Sequence, residues 1–396
     1  MKRTVLFLAA FFLLASIAAA IGSAEPVTSG TPKDQAAADQ GLVPVPAAPP
    51  ALKSEAKSGP EVKIKVRLQP RFSVVETDAN QPYFGASDDQ AEGGGFSLRR
   101  MRLYVVAQVD PKTRYILHLK SDAGEDKLDM RVGEVQLDLG SGREVRAGQF
   151  VVPVGYEIVA WDGDLLVVDR HTVSLFLPPD ADIGVVFSQQ LAGKSNLTYH
   201  LGACNGNGRF TGNVGGKYLL LLRAEAKPTP GLSVGTSWCD NQNTNWSPYF
   251  GRFIKKNGDP YGLTAAYDAH QVDERSFGAD AQYQRGPLTV WAEWMGTKIS
   301  PVGAPPIYAE GFYVDAAHFL PYRGRSDQLE AVIGWQGINP NTSVRDKYDM
   351  RAYTVGLNWH FRPNYEQILR LNYMWVDEAR NDVKNDKLIV QYQLWL

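Results

Sequence analysis

The chain has 396 residues, with 41 lysines and arginines against 43 aspartates and glutamates, and its formal net charge is −2. This balance gives no basic footprint for nucleic-acid binding, and two cysteines exclude a disulfide-rich scaffold. With 37 glycines and 11% aromatic residues, the composition suits strands with one apolar face, aromatic belts and glycine turns. A large soluble β-protein shares this composition.

The N-terminus has the organisation of a secretory signal peptide. Met1–Arg3 is basic, Thr4–Ile21 is apolar, and Gly22–Ala24 consists of small residues. We therefore predict a signal peptide over residues 1–24. No cysteine follows the apolar run, so a lipoprotein anchor is not expected.

Residues 25–61 are rich in Ala, Pro, Ser, Gln and Lys and have no apolar period. Such a composition predicts a disordered periplasmic tether. The remaining residues, 62–396, form the predicted folded domain.

From Val62 onward, apolar and polar residues alternate with period two, as in strands with one apolar face. The first strand separates an apolar face from a largely basic one: Val62, Ile64, Val66 and Leu68 against Lys63, Lys65, Arg67, Gln69 and Arg71. The second strand, near residues 100–109, and late strands near 353–361, 369–375 and 388–396 alternate in the same way. A soluble sandwich also alternates. Aromatic residues near the strand ends favour a membrane barrel instead.

Short turns alternate with long polar connections along the chain. Turn chemistry recurs near residues 110–113, 140–142, 191–195, 227–231, 284–287, 321–325 and 362–364. Seventeen segments qualify as strands, but both chain ends on one side of the membrane require an even number. We assign Tyr261–His270 to an external connection. The prediction is an all-β, sixteen-stranded antiparallel transmembrane β-barrel, which is wide enough for an aqueous lumen.

Several motifs, in order, resemble the phosphate-selective porin family of anion-selective, sixteen-stranded outer-membrane porins. They are the arginine-rich segment 96–103, the Gly-Gln-Phe-Val-Val-Pro segment 148–153, Asp169-Arg170, the Asp-Ile-Gly-Val segment 182–185 and the Asn/Gly-rich segment 202–208. The resemblance implies that Val151–Asp180, the third long loop, folds inward as a constriction loop. It also implies a basic-lined lumen and a homotrimer in the bacterial outer membrane.

The presumed loop departs from the family pattern. Family members often have a basic residue before the Ile-Gly element, where this chain has Asp180-Ala181-Asp182. The constriction-loop residues Pro153, Glu157, Asp162 and Asp164 include three carboxylates. We expect passage of small inorganic or organic anions, with phosphate as one candidate. A general porin, or one that prefers cations or sugars, is the alternative, as is a structural or adhesin-like barrel.

The predicted solute pathway consists of basic lumenal side chains: Arg67, Arg71, Arg100, Arg102, Lys120 and Arg170. A column of such groups lowers the entry barrier for anions while weak sites allow release. Alternatively, the arginines pair with lumenal carboxylates. Lys63 and Lys65 line the lumen or lie at the periplasmic rim. Arg170 contacts the solute or holds the loop through Asp162 or Asp164.

No catalytic, metal or cofactor site is predicted. The histidines never fall at metal-ligand spacing; they are His118, His171, His200, His270, His318 and His360. A membrane-embedded hydrolase would need a Ser/His pair on adjacent strands. The carboxylates Glu293, Asp315 and Glu330 are expected to balance arginines. Cys204 and Cys239 are free, or form one bridge if they share a rim.

Overall fold

The computed structural model describes residues 60–396, apart from 77–81, 83–93, 124–126, 192–195, 245–249, 323–324, 363–365, 381–382 and 384. The predicted signal peptide and nearly all of the tether lie outside the described residues. The first strand begins at Glu61, the last residue of the predicted tether.

Within the described part of the chain, sixteen antiparallel strands, joined in sequence order, form a closed barrel in which β1 pairs with both β2 and β16. The strands are β1 (Glu61–Val75), β2 (Gly95–Asp110), β3 (Thr113–Asp122), β4 (Asp129–Gly140), β5 (Arg143–Val151), β6 (Ala181–Leu191), β7 (Leu197–Cys204), β8 (Leu219–Thr229), β9 (Leu232–Thr244), β10 (Val272–Arg285), β11 (Leu288–Pro301), β12 (Ile307–Tyr322), β13 (Arg325–Asn339), β14 (Met350–Arg362), β15 (Gln367–Glu378) and β16 (Lys387–Trp395). The predicted fold class and strand number are confirmed.

Three short helices lie in the long connections of the described chain: α1 (Thr172–Phe176), α2 (Phe250–Lys256) and α3 (Thr264–Asp268). Helix α3 occupies the segment Tyr261–His270, so this segment belongs to the connection between β9 and β10, as predicted. None of these described helices is long and apolar enough to cross a membrane.

The burial pattern separates a membrane barrel from a soluble sandwich, which periodicity alone does not. On β1 the apolar residues Ile64 and Val74 are exposed, whereas the polar Arg67 and Gln69 are buried. The apolar face therefore points outward, and the polar face, which we call the inner face, points into the barrel. This inversion is what a lipid surround requires.

Aromatic side chains mark both ends of the outer surface. Trp335, Tyr353 and Trp375 are register neighbours on β13, β14 and β15, near the long connections. Near the short turns, Trp359 lies with its ring centroid 5.0 Å from that of Tyr322. Two aromatic belts of this kind are typical of the interfaces of a bilayer.

The ends of the barrel sequence close the sheet. The amide of Val66 donates to the carbonyl of Leu396 at 3.0 Å, and the amide of Leu396 donates to the carbonyl of Val66 at 2.9 Å. The residue Trp395 is paired with Arg67 on the inner face. The final predicted strand is thus the closing strand of the barrel.

Two β-bulges interrupt the alternation of β2 and β4. Gln69 pairs with Arg100 and Pro70 with Leu98, so Arg99 is the extra residue of β2. Similarly, the pairing of β3 with β4 passes over Arg131. A bulge gives two residues opposite one, which allows consecutive side chains to share a face.

Candidate functional site

The connection between β5 and β6, residues 152–180, is buried for most of its length. We call it loop 152–180. Its backbone bonds to inner-face side chains of distant strands. Asn372 on β15 accepts a hydrogen bond from the amide of Val168 at 3.0 Å, and Asn358 on β14 donates to the carbonyl of Leu166 at 2.9 Å. The loop is therefore held by the wall opposite to the strands that it connects.

Further anchors come from β11 and β13. Glu293 accepts hydrogen bonds from the amides of Tyr156 at 3.1 Å and Glu157 at 2.9 Å. Gln336 accepts one from the amide of Thr172 at 2.9 Å. Buried polar groups of the wall and the unpaired backbone groups of the loop thus satisfy each other.

Close approach to the wall explains the glycine at position 163. Its carbonyl accepts hydrogen bonds from Arg370 at 2.8 Å and Gln393 at 3.1 Å. A Cβ atom added there would lie 2.5 Å from Cζ of Arg67. The guanidinium of Arg67 also lies 3.9 Å from the ring centroid of Trp395. Arg67 is therefore enclosed between the loop backbone and an indole ring, a favourable cation–π arrangement.

His171 links the loop to β12. Its Nδ1 lies 2.8 Å from Glu157, its Nε2 lies 3.1 Å from Asp315, and its ring stacks on Tyr313 at 4.1 Å. Burial alone would lower the pKa of His171, but the two carboxylates outweigh it and raise this pKa to about 10. The imidazolium in turn helps to lower the pKa of Glu157, against the opposing effect of burial. His171 and the two carboxylates thus form a buried salt bridge between the loop and β12.

A basic cluster on β1 to β4 meets the aspartates of the loop. Arg71 binds both oxygens of Asp169 at 2.9 Å, and Arg102 binds Asp162 at 3.0 Å. Arg100 lies 3.3 Å from Asp169. Although burial opposes ionisation, Arg71, Arg99 and Arg100 hold the pKa of Asp169 well below its usual range. The predicted pathway residues Arg71, Arg100 and Arg102 are thus brought together, in contact with loop carboxylates.

Arg170 belongs to the same cluster from the loop side. It bonds to Asp162, to the carbonyl of Ala160 and, at 3.0 Å, to the carbonyl of Glu157. Burial, reinforced by the neighbouring Arg131, lowers the pKa of Arg170 to about 10. These contacts lie within the loop, as expected if Arg170 holds the loop in place and does not contact the solute.

The other predicted residues occupy separate positions. Lys120 lies 2.7 Å from Asp122 on the same strand. Lys63 is exposed near the start of β1 and lies 3.3 Å from Glu61. This position is at the rim of the barrel, one of the two positions expected for Lys63. Pro153 is buried where the loop begins, and Asp164 is half-buried beside Trp161.

Sequence alternation missed two members of the basic cluster, Arg99 and Arg131. Arg99 lies 3.1 Å from Asp169, and Arg131 lies 2.9 Å from Asp180. Strict alternation outward from Met101 would have turned Arg99 toward lipid. The sequence contains a signal for the bulge at Arg99. Pro70, on the neighbouring strand, has no amide hydrogen to donate within the sheet and favours a bulge opposite it. We find no such sequence signal for the bulge at Arg131.

An apolar cluster joins three long connections of the described chain. Phe176 of α1 lies 5.3 Å from Phe253 of α2, which lies 5.8 Å from Tyr348 in the connection between β13 and β14. The hydroxyl of Tyr261 donates to Asp346 at 3.1 Å. The loop is therefore held at its α1 end by two other long connections as well as by the wall.

The inner face of β5 to β8 is less uniformly buried than the wall that anchors the loop, although Arg223 on β8 is buried and bonded to Asp280. Arg146, Glu144 and Glu225 are half-buried there. Ser188 and His200, on adjacent strands, lie 2.8 Å apart. Within the part of the chain that the structure describes, no carboxylate is hydrogen-bonded to His200, so the orienting group of a Ser–His nucleophile is missing there.

Cys204 and Cys239 are both free and buried. They lie on β7 and β9, with β8 between them. The bridged alternative is therefore wrong for this structure.

Comparison with known proteins gives structural likeness at low sequence identity. An anion-selective porin from Comamonas acidovorans matches with a TM-score of 0.56 at 11% identity, over 85% of this chain and 100% of that one. OmpF of Salmonella typhi matches at 0.54 and 11%, over 85% and 98%. OmpT of Vibrio cholerae, described in its trimer form, matches at 0.53 and 9%, over 85% and 100%. No family model and no curated protein matches the sequence.

These matches define the class of fold: the chain has the sixteen-stranded barrel of outer-membrane porins. Together with the apolar outer surface and its aromatic belts, this places the chain in the bacterial outer membrane.

Proposed function

We propose that this protein is a porin for passive diffusion of small hydrophilic solutes, with a preference for anions. Loop 152–180 narrows the lumen as a constriction loop, and solutes pass between it and the uncovered part of the inner wall. The observation that carries the proposal is the charge of the basic cluster. Among the described residues, seven basic side chains meet four carboxylates: Arg71, Arg99, Arg100, Arg102, Lys120, Arg131 and Arg170 against Asp122, Asp162, Asp169 and Asp180.

The acidic residues of the loop do not argue for cation passage. Asp162 is buried and bonded to Arg102 and Arg170, and Asp169 to Arg71. Carboxylates neutralised in this way present little negative field to the solute. This supports general anion passage, of which phosphate is one possible cargo, without a dedicated phosphate site. The protein then acts as a channel and not as an enzyme.

Assembly as a homotrimer in outer-membrane lipid is part of the proposal. The Vibrio cholerae OmpT structure with the same fold is described as a trimer. Gel mobility before and after heating tests this, since a trimer migrates at about three times the mass of the heated chain.

The test of function is the reversal potential of the purified protein in a planar bilayer under a potassium chloride gradient. For an anion-preferring porin, the reversal potential has the same sign as the chloride equilibrium potential. A cation-selective potential contradicts the anion preference, and an absence of conductance contradicts the porin and favours a structural barrel. Addition of phosphate as a competitor then separates a phosphate channel, which it blocks, from a general one.

A further inference from the structure

The two bulged arginines are the members of the basic cluster that strand alternation does not explain. Each bulge turns into the barrel a side chain that a regular strand would direct to the lipid. We infer that Arg99 and Arg131, with Lys120 between them, form the site that selects small inorganic anions. The inference rests on the proposed function and names the residues that carry its selectivity.

The three side chains come from consecutive strands. Lys120 on β3 is paired with Arg102 of β2 on one side and with Asp129 of β4 on the other. Arg99 and Arg131 are the bulged residues of those two flanking strands. Arg99 and Lys120 both lie near Asp122, at 3.8 Å and 2.7 Å, and Arg131 lies on the next strand. The three cations thus belong to one wall of the barrel.

Accessibility separates this triad from the arginines that sequence alternation identifies. The side chains of Arg99, Lys120 and Arg131 are 11%, 10% and 11% exposed. Those of Arg100 and Arg102 are 4% and 3% exposed. The members of the triad are therefore the more accessible part of the cluster, whereas Arg100 and Arg102 are more deeply enclosed.

Each member of the triad has a carboxylate beside it, which weakens the positive field of the site. Arg99 is 3.1 Å from Asp169, Arg131 is 2.9 Å from Asp180, and Lys120 is 2.7 Å from Asp122. Asp169 and Asp122 are shared with Arg71 and Arg102, respectively.

A small oxyanion or halide would meet guanidinium and ammonium donors together, and guanidinium suits oxyanions by its fork geometry. Partial neutralisation keeps binding weak, as conduction requires.

Reversal potentials of the double variant Arg99→Gln/Arg131→Gln test the inference. We expect the ratio of chloride to potassium permeability to fall by about tenfold, because two cations are removed while their neighbours Asp169 and Asp180 remain negatively charged. Arg275→Gln is the matched control, because Arg275 is exposed on the outer face of β10. Its selectivity should remain that of the wild type.

Thiol labelling provides a second measurement that does not depend on the glutamine variants. Arg99→Cys and Arg131→Cys are treated in the open channel with a cationic or an anionic methanethiosulfonate. The cationic reagent should restore anion preference and the anionic reagent should reverse it. The native Cys204 and Cys239 are buried, so wild-type channels serve as the reagent control.

The possible failures are distinguishable. A wild-type channel without anion preference defeats the proposed function itself. If the wild type prefers anions but the double variant retains that preference, or neither introduced thiol reacts in a heat-modifiable, folded channel, the triad is not the selecting site.

Discussion

The inner wall of the barrel has two contrasting regions. On the wall that holds loop 152–180, Asn358 and Arg370 are completely buried and bond to loop carbonyls. On the inner face of β5, Glu144 and Arg146 are half-buried. The same alternating strand pattern therefore serves two purposes. One region uses polar side chains to fix a loop, and the other presents them to the lumen. Substitutions in the two regions should differ accordingly.

The largest effect is expected from Asp169→Ala, which removes the carboxylate shared by Arg71, Arg99 and Arg100. Leaving buried charges without their partner costs about 3–5 kcal/mol. We expect a lower melting temperature in detergent by circular dichroism and a noisier channel current. Glu144→Ala, on the inner face of β5 with 30% of its side chain exposed, is the comparison. Equal melting temperatures for the two variants would contradict the distinction.

The bridge of His171 predicts a pH dependence. Its pKa of about 10 in the folded protein lies above the unfolded value of about 6.5. The bridge therefore contributes its full stability below pH ~6.5, and that contribution, on the order of 4 kcal/mol, is lost as the pH rises through about 10.

Melting temperatures of wild type and His171→Gln between pH 6 and 11 measure this contribution. The two curves should converge at the alkaline end. A difference that stays constant with pH would show that His171 is neutral in the folded protein.

A smaller effect is expected from Asn372→Ala, which removes the acceptor for the amide of Val168. An unsatisfied buried amide costs about 1–3 kcal/mol. Because the anchor acts locally, we expect faster amide hydrogen exchange in loop 152–180 and larger current fluctuations, with the barrel strands unchanged. Thr198→Ala, on β7, serves as control. Unaltered exchange at Val168 would show that this anchor does not hold the loop.

The smallest change in stability is expected from Arg146→Gln. Its ring contact with Phe150, at 5.4 Å, is worth about 0.5–1 kcal/mol. The melting temperature should therefore change little, while single-channel conductance in low salt should fall, because a lumenal cation is lost. A large drop in melting temperature without a change in conductance would place Arg146 among the loop-holding residues.

Local periodicity located the strands, because each strand encodes its two faces within about ten residues. Aromatic residues near the strand ends favoured a barrel over a sandwich, and the requirement for an even number of strands excluded Tyr261–His270 from the sheet. The family resemblance pointed to the segment 151–180. Contacts such as that of Asn358 with Leu166, 192 residues apart, have no local signal. Arg99 and Arg131 were missed for a different reason, because a one-residue bulge leaves composition unchanged but inverts the alternation.

The closure of β1 on β16 has a consequence for how the protein reaches its native state. Gln69 and Gln393, which bond at 2.6 Å, are 324 residues apart in the sequence. Every other strand pair of the described barrel joins neighbours in the chain, whereas β1, the first strand, stays without this partner until β16, the last strand, is available. Until then two open edges remain, and such edges invite pairing with other chains. Closure of so long a loop is also slow. The step that seals the barrel is therefore the one at which assistance during insertion would matter most.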